Sequence, residues 1–159
     1  RKPVEKTVPI GYEFPTKTAA ETPPAAFGFS NGVDFYNTGR FGDYYGDGFP
    51  KELVVDQKLL ERGQQRFNIF CSACHGASGN GKGTTSKFGI LAAYSFQQPG
   101  ALDPANAGAY RTTGAIFDVI THGKGLMGPL GGSIPVRDRW AIVAYIRVLQ
   151  QAGKEAGVQ

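Results

Sequence analysis

Both cysteines of the chain lie in the run Cys71-Ser72-Ala73-Cys74-His75. A Cys-x-x-Cys-His run is the attachment pattern of a c-type haem. In that chemistry two thiols add to the two vinyl groups of the haem as thioethers, and the histidine that follows binds iron from one side. The run therefore predicts one covalent haem c attached through Cys71 and Cys74, with His75 as a metal ligand.

Two other chemistries use a Cys-x-x-Cys pair, the redox dithiol and the zinc site. Four-coordinate zinc needs two more ligands, yet the chain has no third cysteine and its only other histidine is His122. A thioredoxin-like dithiol lies beside a βαβ pattern, which the sequence around residue 71 does not show. A disulfide across so short a loop would remove little entropy from the unfolded chain. The haem interpretation is favoured, and the redox dithiol is the main alternative.

The second axial position of the iron has two candidate ligands. Met127 is the only methionine, and it lies in a loop rich in glycine and proline that can fold over the haem face opposite His75. His122 is the rival, but it stands at the end of a predicted helix, where a histidine is electrostatically favourable without binding a metal. We therefore predict Met127 as the second metal ligand. A thioether ligand favours reduced iron and closes the metal to small molecules.

Three helices must position these residues. Asp56 can cap a first helix that leads directly into Cys71, because apolar residues follow it at three- and four-residue steps: Leu59, Leu60, Gly63, Phe67 and Phe70. Thr113 can cap a short helix that Gly123 stops, and a last helix begins near Pro135 and runs to Gly153. Residues 76–110 are glycine-rich and loop-like. No segment alternates in the manner of a strand, so no strand is predicted.

The composition bounds the function classes. The 159 residues carry a formal charge of +4, 41% apolar residues, 23 glycines and 10 prolines, which suits one modest core that wraps a flat ligand. The basic residues are scattered, so no nucleic-acid partner is predicted. The run Gly79–Gly83 lacks the Gly-Lys-Ser/Thr ending of a phosphate loop, so no nucleotide-binding site is predicted. No stretch of about 18 apolar residues predicts a transmembrane span.

The chain begins at Arg1, and its only methionine is Met127. We therefore expect a processed or truncated product. Because haem c is attached outside the bacterial cytoplasm, we expect an export signal that has been removed and a location on the periplasmic side of the inner membrane. A lipid anchor on an upstream cysteine would not be visible in this sequence.

Residues 1–52 differ from the remainder of the chain. Prolines argue against a helix here, and ten phenylalanines and tyrosines argue against a solvated linker. We predict an extended arm that lies either on its own domain or on a partner protein, with a flexible tail as the alternative. A domain over residues 53–153 and a short tail over 154–159 complete the predicted organisation.

The spacing Gly63-x-x-x-Phe67-x-x-x-Cys71-x-x-Cys74-His75, followed by one loop methionine and a last helix with Trp140 and Tyr145, resembles a class I monohaem cytochrome c. The resemblance implies an all-α fold in which the first and last helices cross around one haem, with Gly63 and Phe67 meeting Tyr145. In many such proteins a proline carbonyl accepts the Nδ1 proton of the proximal histidine. No proline lies between Pro50 and Pro99 here, so the sequence does not identify that acceptor.

Two runs, over residues 67–76 and 138–145, resemble more closely the monohaem cytochrome subunit of alternative complex III, as does the long arm before the haem domain. The resemblance implies a non-catalytic subunit that transfers single electrons within a membrane-bound quinol-oxidising complex, with other subunits and a redox partner protein as its partners. A free periplasmic carrier is the alternative, and a haem sensor or peroxidase, which needs an open iron, is a third possibility.

Six further residues are candidates for contacts. Tyr110, Arg111 and Trp140 are predicted to contact the haem or its propionates, since a guanidinium suits a carboxylate geometrically. Lysine side chains in loops predicted near the haem rim can steer an acidic redox partner, and these are Lys82, Lys87 and Lys124. Ordinary surface positions are the alternative for Arg111 and for all three lysines.

Overall fold

The computed structural model describes residues 35–89 and 94–157. Its elements are five α-helices, two strands of two residues each and a 3₁₀ helix over Thr84–Phe88: α1 Phe35–Thr38, β1 Arg40–Phe41, β2 Tyr44–Tyr45, α2 Gln57–Phe70, α3 Ser72–His75, α4 Thr113–His122 and α5 Val136–Glu155. The helix-dominated architecture predicted from the sequence is confirmed. Residues 1–34 of the predicted arm lie outside the described residues.

Helix α2 begins where the sequence predicts. The Asp56 carboxylate accepts a hydrogen bond from the Leu59 amide at 2.9 Å, which satisfies one of the free N–H groups of the first turn. Leu59, Gly63 and Phe67 are buried at four-residue spacing and form the face that packs against α5. The helix ends at Phe70, so that Cys71 follows its last turn directly.

The contact between α2 and α5 depends on Gly63. A Cβ atom at this position would lie 2.1 Å from the Ala141 carbonyl oxygen and 3.0 Å from the Tyr145 Cβ. One turn later, the rings of Phe67 and Tyr145 meet edge to face with centroids 5.5 Å apart. The predicted meeting of Gly63 and Phe67 with Tyr145 is therefore confirmed.

We expect Gly63→Ala to destabilise the protein. Alanine favours a helix over glycine by about 1 kcal/mol, but overpacking a close contact costs about 1–3 kcal/mol. The new methyl group would meet a backbone carbonyl that cannot rotate away, so the steric cost should prevail and the free energy of unfolding should fall. Denaturant unfolding measures the change. Gly132→Ala is the control, because nothing lies within 4 Å of a Cβ there. Equal or higher stability of Gly63→Ala would contradict the packing.

An ion pair joins the middle of α2 to the first turn of α5. Arg62 donates from Nε and Nη2 to the two carboxylate oxygens of Asp138 at 2.8 and 2.7 Å. Arg66 lies on the same carboxylate with its Nε 3.4 Å from Oδ2. Asp138 is in the first turn of α5, where a negative charge also suits the helix dipole. The pair fixes the start of α5 beside the middle of α2.

The N-cap of helix α4 lies one residue earlier than predicted. Thr112, not Thr113, is the N-cap, and its hydroxyl accepts a hydrogen bond from the Ala115 amide at 3.2 Å. The hydroxyl of Thr113 instead donates to the Gly48 carbonyl, and its amide donates to the Asp47 carboxylate at 3.2 Å. Either of two adjacent threonines can cap a helix. Here Thr113 is bonded to residues 47–48, so Thr112 is the residue that caps α4.

Helix α5 follows Pro135 as predicted and continues to Glu155, two residues beyond the predicted end. Gly153 is buried within the helix, where it packs against Gln97. The last turn is therefore held by a tertiary contact, which overrides the tendency of glycine to end a helix.

The expectation of no strand was wrong for residues 40–45. Arg40–Phe41 pairs with Tyr44–Tyr45 in an antiparallel hairpin, with Arg40 opposite Tyr45 and Phe41 opposite Tyr44. Strands of two residues are too short to show an alternating pattern, which explains why the sequence did not predict them.

The described part of the predicted arm packs on the domain that follows it. Phe35 and Tyr36 belong to the core, and the indole N–H of Trp140 donates to the Tyr36 carbonyl at 2.6 Å. The Gly114 amide donates to the Gly46 carbonyl at 3.0 Å. Residues 35–49 thus cover the junction of α4 and α5, one of the two placements that the sequence left open.

The main core joins these elements. Its buried members are Phe35, Tyr36, Phe67, Cys71, Phe96, Ile116, Phe117, Ile120, Ile134, Val136, Trp140, Ile142, Val143, Ile146 and Leu149. Cys71 is among them, so the first cysteine of the attachment run borders the core. None of the helices formed by the described residues has the length and apolar character needed to cross a membrane.

Candidate haem site

The attachment run forms a helical turn at the end of α2. The Cys71 amide still bonds the Phe67 carbonyl of α2 at 2.8 Å, while the His75 amide bonds the Cys71 carbonyl at 2.8 Å. Residues three apart in a helical turn lie on the same side of it, so Cys71 and Cys74 can reach one edge of a flat ligand. Cys71 is buried, Cys74 is exposed, and the two thiols form no disulfide.

The environment of Cys71 disfavours a redox dithiol. Burial, assisted by the neighbouring Cys74, raises the pKa of the Cys71 thiol to about 12. Reactive dithiols have a lowered pKa instead, because the thiolate is the nucleophile. Within residues 35–89 and 94–157, no three histidine, cysteine or acidic side chains are grouped so that they could hold a metal ion, and a zinc site therefore has no support there.

His75 is held by two contacts from one loop. Its Nδ1 lies 3.0 Å from the Tyr94 carbonyl oxygen, and since a carbonyl only accepts, Nδ1 must carry the proton. The lone pair is then on Nε2, which is the arrangement that a metal-binding imidazole needs. The ring of Phe96 stacks on the imidazole with centroids 4.9 Å apart and planes inclined by 22°. The acceptor that the sequence did not identify is therefore the carbonyl of Tyr94.

Met127 lies at the end of a tight turn. The amide and carbonyl of Lys124 bond the carbonyl and amide of Met127 at 2.9 and 3.1 Å. The turn leaves Leu126 83% exposed, while Met127 is half-buried and packs against the main core, to which Cys71 also belongs. The side chain is therefore turned toward the protein, as a ligand on the second face would require.

Gly123 connects this turn to α4. It ends the helix with a φ of +79°, a conformation that favours glycine, and a Cβ there would lie 2.3 Å from the Met127 carbonyl oxygen. A side chain at this position would thus push the Met127 turn away. The glycine predicted as a helix stop also permits the close approach of the turn.

His122 occupies the last turn of α4 as predicted. Its side chain is 67% exposed, and Nδ1 lies 3.2 Å from the Asp118 carboxylate one turn earlier. This contact is a side-chain pair between residues four apart on the surface of one helix. The structure therefore gives no support to His122 over Met127 as the second axial ligand.

The predicted haem contact Tyr110 lies in a polar cluster. Its hydroxyl donates to the Asp47 carboxylate, and the Arg147 guanidinium lies 5.2 Å from its ring centroid. Burial raises the pKa of Tyr110, and the bond to Asp47 raises it further. Burial alone would raise the pKa of Asp47, but hydrogen bonds, first that from Tyr110, lower it. The cluster joins residue 47 to α5.

Arg111 is half-buried beside Tyr110. Its Nη1 donates to the carbonyls of Ala107 and Tyr110 at 3.1 and 2.7 Å, and its own carbonyl accepts from Arg147 at 2.6 Å. The structure therefore groups Tyr110 and Arg111 together, in a network that orders the loop before α4. Their contact with a propionate stays a prediction.

Trp140 is fully buried at the centre of the core. Its ring stacks on Phe117 with centroids 4.5 Å apart, and its N–H is bonded to the Tyr36 carbonyl. The indole N–H is therefore committed to the backbone, and any contact of Trp140 with haem must be made by the ring. Cys71 and Trp140 belong to one core and Met127 packs against it, while the contact of Trp140 with haem stays a prediction.

Sequence reasoning missed Tyr94 and Phe96. Both lie in a glycine-rich region without a helical or strand period. No local sequence pattern links Tyr94 to His75, which lies nineteen positions earlier. The available signal was the closely spaced aromatic pair Tyr94 and Phe96, in a run that also holds other apolar residues. Lys82, Lys87 and Lys124 are exposed as predicted, and their role toward a partner stays a prediction.

These residues fit a haem c. Two free thiols one helical turn apart, a histidine whose tautomer leaves Nε2 for a metal, and an inward-facing methionine are the donor set that the group needs. A comparison with protein families matches residues 58–146, more than half of the chain, to the model described as cytochrome c oxidase, cbb3-type, subunit III. The chain belongs to this family. It is a cytochrome c domain.

Three of the solved structures similar to this cytochrome c domain are cytochromes. Cytochrome c6 from the diatom Phaeodactylum tricornutum is 30% identical over 59% of this chain and 97% of its own, with a TM-score of 0.45. Cytochrome cL from Methylophaga aminisulfidivorans is 24% identical over 59% of this chain and 55% of its own, with a TM-score of 0.44. Cytochrome cL from Hyphomicrobium denitrificans is 24% identical over 82% of this chain and 61% of its own, with a TM-score of 0.44. The alignment thus spans less than two thirds of either cytochrome cL, and no curated protein matches the sequence.

The family match confirms the main expectations from the sequence. The fold is that of a class I cytochrome c, the cofactor is one covalently bound haem c, and the chemistry is electron transfer. The resemblance to one particular respiratory complex goes beyond this result.

Proposed function

We propose that Cys71 and Cys74 attach the haem, that His75 and Met127 are its axial ligands, and that the protein transfers single electrons within a membrane-bound quinol-oxidising complex, alternative complex III. The fixed tautomer of His75 carries the first part of the proposal, because it presents Nε2 to a metal. A face of exposed aromatic residues on the described part of the arm supports the second part.

The residues of the chain have separate tasks in this function. The haem supplies a one-electron Fe(III)/Fe(II) couple. His75 holds one axial position with an orientation set by Tyr94 and Phe96, and Met127 is proposed to hold the other. Ligation on both sides closes the iron to exogenous molecules, so the protein exchanges electrons and does not bind a substrate at the metal. Trp140 contributes apolar bulk, and Tyr110 and Arg111 are proposed to lie near the propionates.

The aromatic face consists of Phe41 and Tyr44, which lie opposite each other on the hairpin. These side chains are 53% and 81% exposed. Contiguous exposed apolar surface on a folded protein indicates an interaction site, and aromatic residues are enriched in the cores of stable interfaces. Encounters of free electron carriers bury little area and are mostly polar. A subunit with a permanent neighbour therefore explains this face better than a free carrier does.

The free periplasmic carrier is the second candidate. The observation that favours it is the exposure of Lys82, Lys87 and Lys124, since charges on a rim steer transient partners. A haem sensor or peroxidase has no comparable support, because Met127 is turned inward. In either of the two favoured functions we place the protein on the periplasmic side of the bacterial inner membrane.

The test is to isolate the affinity-tagged full chain from gently solubilised membranes of the organism that encodes it. We expect it to be recovered with other haem-containing subunits and with quinol-oxidising activity. Tyr44→Ser on the aromatic face should lower this recovery about tenfold or more, since loss of a central aromatic contact costs about 2 kcal/mol or more. Val54→Ser, at a residue that is 74% exposed elsewhere, is the matched control.

A deletion tests the remaining arm. It should end at residue 34, because Phe35 and Tyr36 belong to the core and their removal would damage the fold. The shortened chain should keep its haem spectrum and its potential. If the complete tagged chain is found only as a soluble monomer, free of other haem proteins, the subunit proposal is wrong and the carrier is favoured.

A further inference from the structure

The loop that holds His75 is itself anchored at several points. We call residues Tyr94–Gln98 the clamp segment, since Tyr94 and Phe96 both contact His75. The Phe96 amide donates to the Gly79 carbonyl at 2.7 Å, and the Gln97 side-chain amide donates to the Ser78 carbonyl at 2.9 Å. The clamp segment is thereby bonded to the chain that follows the attachment run.

Tyr94 holds the other side of the clamp segment. Its hydroxyl donates to the Ala109 carbonyl at 2.5 Å, and the Gln98 side-chain amide donates to the same hydroxyl at 2.5 Å. The phenol is half-buried, and its ring packs against Phe96 with centroids 5.7 Å apart. The residue that offers its carbonyl to His75 is thus fixed through its own side chain to the loop before α4.

The carbonyl of Tyr94 contacts His75 while its side chain is bonded elsewhere, and this affects how firmly His75 is held. A carbonyl on a loop can turn away from its donor when the peptide unit rotates, unless the residue is fixed on both sides. The phenol bond to Ala109 prevents that rotation, because it ties the side chain of Tyr94 while the Phe96 amide ties the backbone two residues later. A strong bond to Nδ1–H raises the electron density of the imidazole and makes it a better ligand for oxidised iron.

We propose that the phenol of Tyr94 is a positioning residue for His75, and that it lowers the reduction potential of the haem by keeping the Tyr94 carbonyl on Nδ1. The proposal rests on the proposed ligation of iron by His75. The phenol acts on His75 through the backbone of its own residue. Gln98 supports it by fixing the orientation of the hydroxyl.

The experiment compares the full-length haem protein with Tyr94→Phe, which removes the hydroxyl and keeps the ring and the carbonyl. We expect the equilibrium constant for oxidation to fall about threefold, which raises the potential by about 30 mV at 59 mV per tenfold for one electron. The Nδ1 proton of His75, followed by NMR in the reduced protein, should exchange with solvent about tenfold faster. Gln98→Leu should give a smaller change in the same direction, and it serves where Tyr94→Phe folds poorly.

Tyr45→Phe is the matched control, because it removes a hydroxyl that bonds Asp118 at 3.1 Å on the hairpin, away from the clamp segment. It should leave the potential and the exchange rate unchanged. If Tyr94→Phe and Gln98→Leu lower the free energy of unfolding but leave both readouts at their original values, the phenol has a purely structural role and the inference is wrong. A wild-type spectrum without histidine ligation would instead refute the proposed function.

Discussion

Replacing Cys71 and Cys74 together by alanine should give a polypeptide that carries no covalent haem. The two residues are the only cysteines of the chain, so no other thiol can form the thioethers. Mass spectrometry of the denatured variant should show the mass of the polypeptide alone, and acidified organic solvent should extract any haem that remains bound by His75. Electron-transfer activity should fall to background in the purified variant.

The same variant should lose much of its stability. Cys71 belongs to the main core, so a haem attached there would add to the apolar surface that the helices bury. Truncation of one large aromatic core residue costs about 3–5 kcal/mol, and a haem is larger than any side chain. We therefore expect the free energy of unfolding to fall by at least that much, as measured by denaturant unfolding.

Ser72→Ala provides the matched control within the attachment run. The Ser72 hydroxyl donates to the Asn68 carbonyl of α2 at 2.7 Å in an exposed bond, so its loss should change neither the haem content nor the spectrum. A wild-type polypeptide that contains no added tetrapyrrole mass, or a double variant that retains covalent haem, would overturn the assignment of Cys71 and Cys74.

The helices that carry the site could be predicted because their signals are local. Asp56 caps α2, the apolar residues that follow it recur at helical spacing, and Pro135 precedes α5. The meeting of Gly63 with Tyr145 came from the family resemblance, and the structure gives it a cause in the close approach of the Ala141 carbonyl. In these elements the local propensity and the tertiary packing agree.

The partners of individual side chains were harder to predict because residue type does not encode distance in space. A tryptophan N–H and a tyrosine hydroxyl both seek an acceptor, and a propionate was a reasonable expectation for both. In the structure Trp140 bonds the Tyr36 carbonyl, 104 residues away in sequence, and Tyr110 bonds Asp47, 63 residues away. The contact of the Tyr94 carbonyl with His75 likewise depends on the geometry of a loop. That loop has no repeating sequence pattern from which the contact could be predicted.

Replacing Met127 by alanine should open the iron on one side. The Met127 turn is fixed by its bonds to Lys124, and the side chain packs toward the core that includes Cys71. Without the thioether the oxidised protein should lose its weak far-red absorption band, and the reduced protein should bind carbon monoxide rapidly. The potential should fall by about 100 mV or more, because a thioether favours reduced iron and axial ligands set haem potentials over about 0.8 V.

Leu126→Ala separates ligation from general damage to the turn. Leu126 is adjacent to Met127 but 83% exposed, so its truncation removes apolar bulk without removing a donor. It should keep the far-red band, exclude carbon monoxide and hold the original potential. His122→Ala should behave in the same way, since that imidazole is exposed beside Asp118. If the wild-type protein shows no far-red band and His122→Ala, not Met127→Ala, admits carbon monoxide, the second ligand is the histidine, and α4 must then supply a residue that the structure holds at the surface.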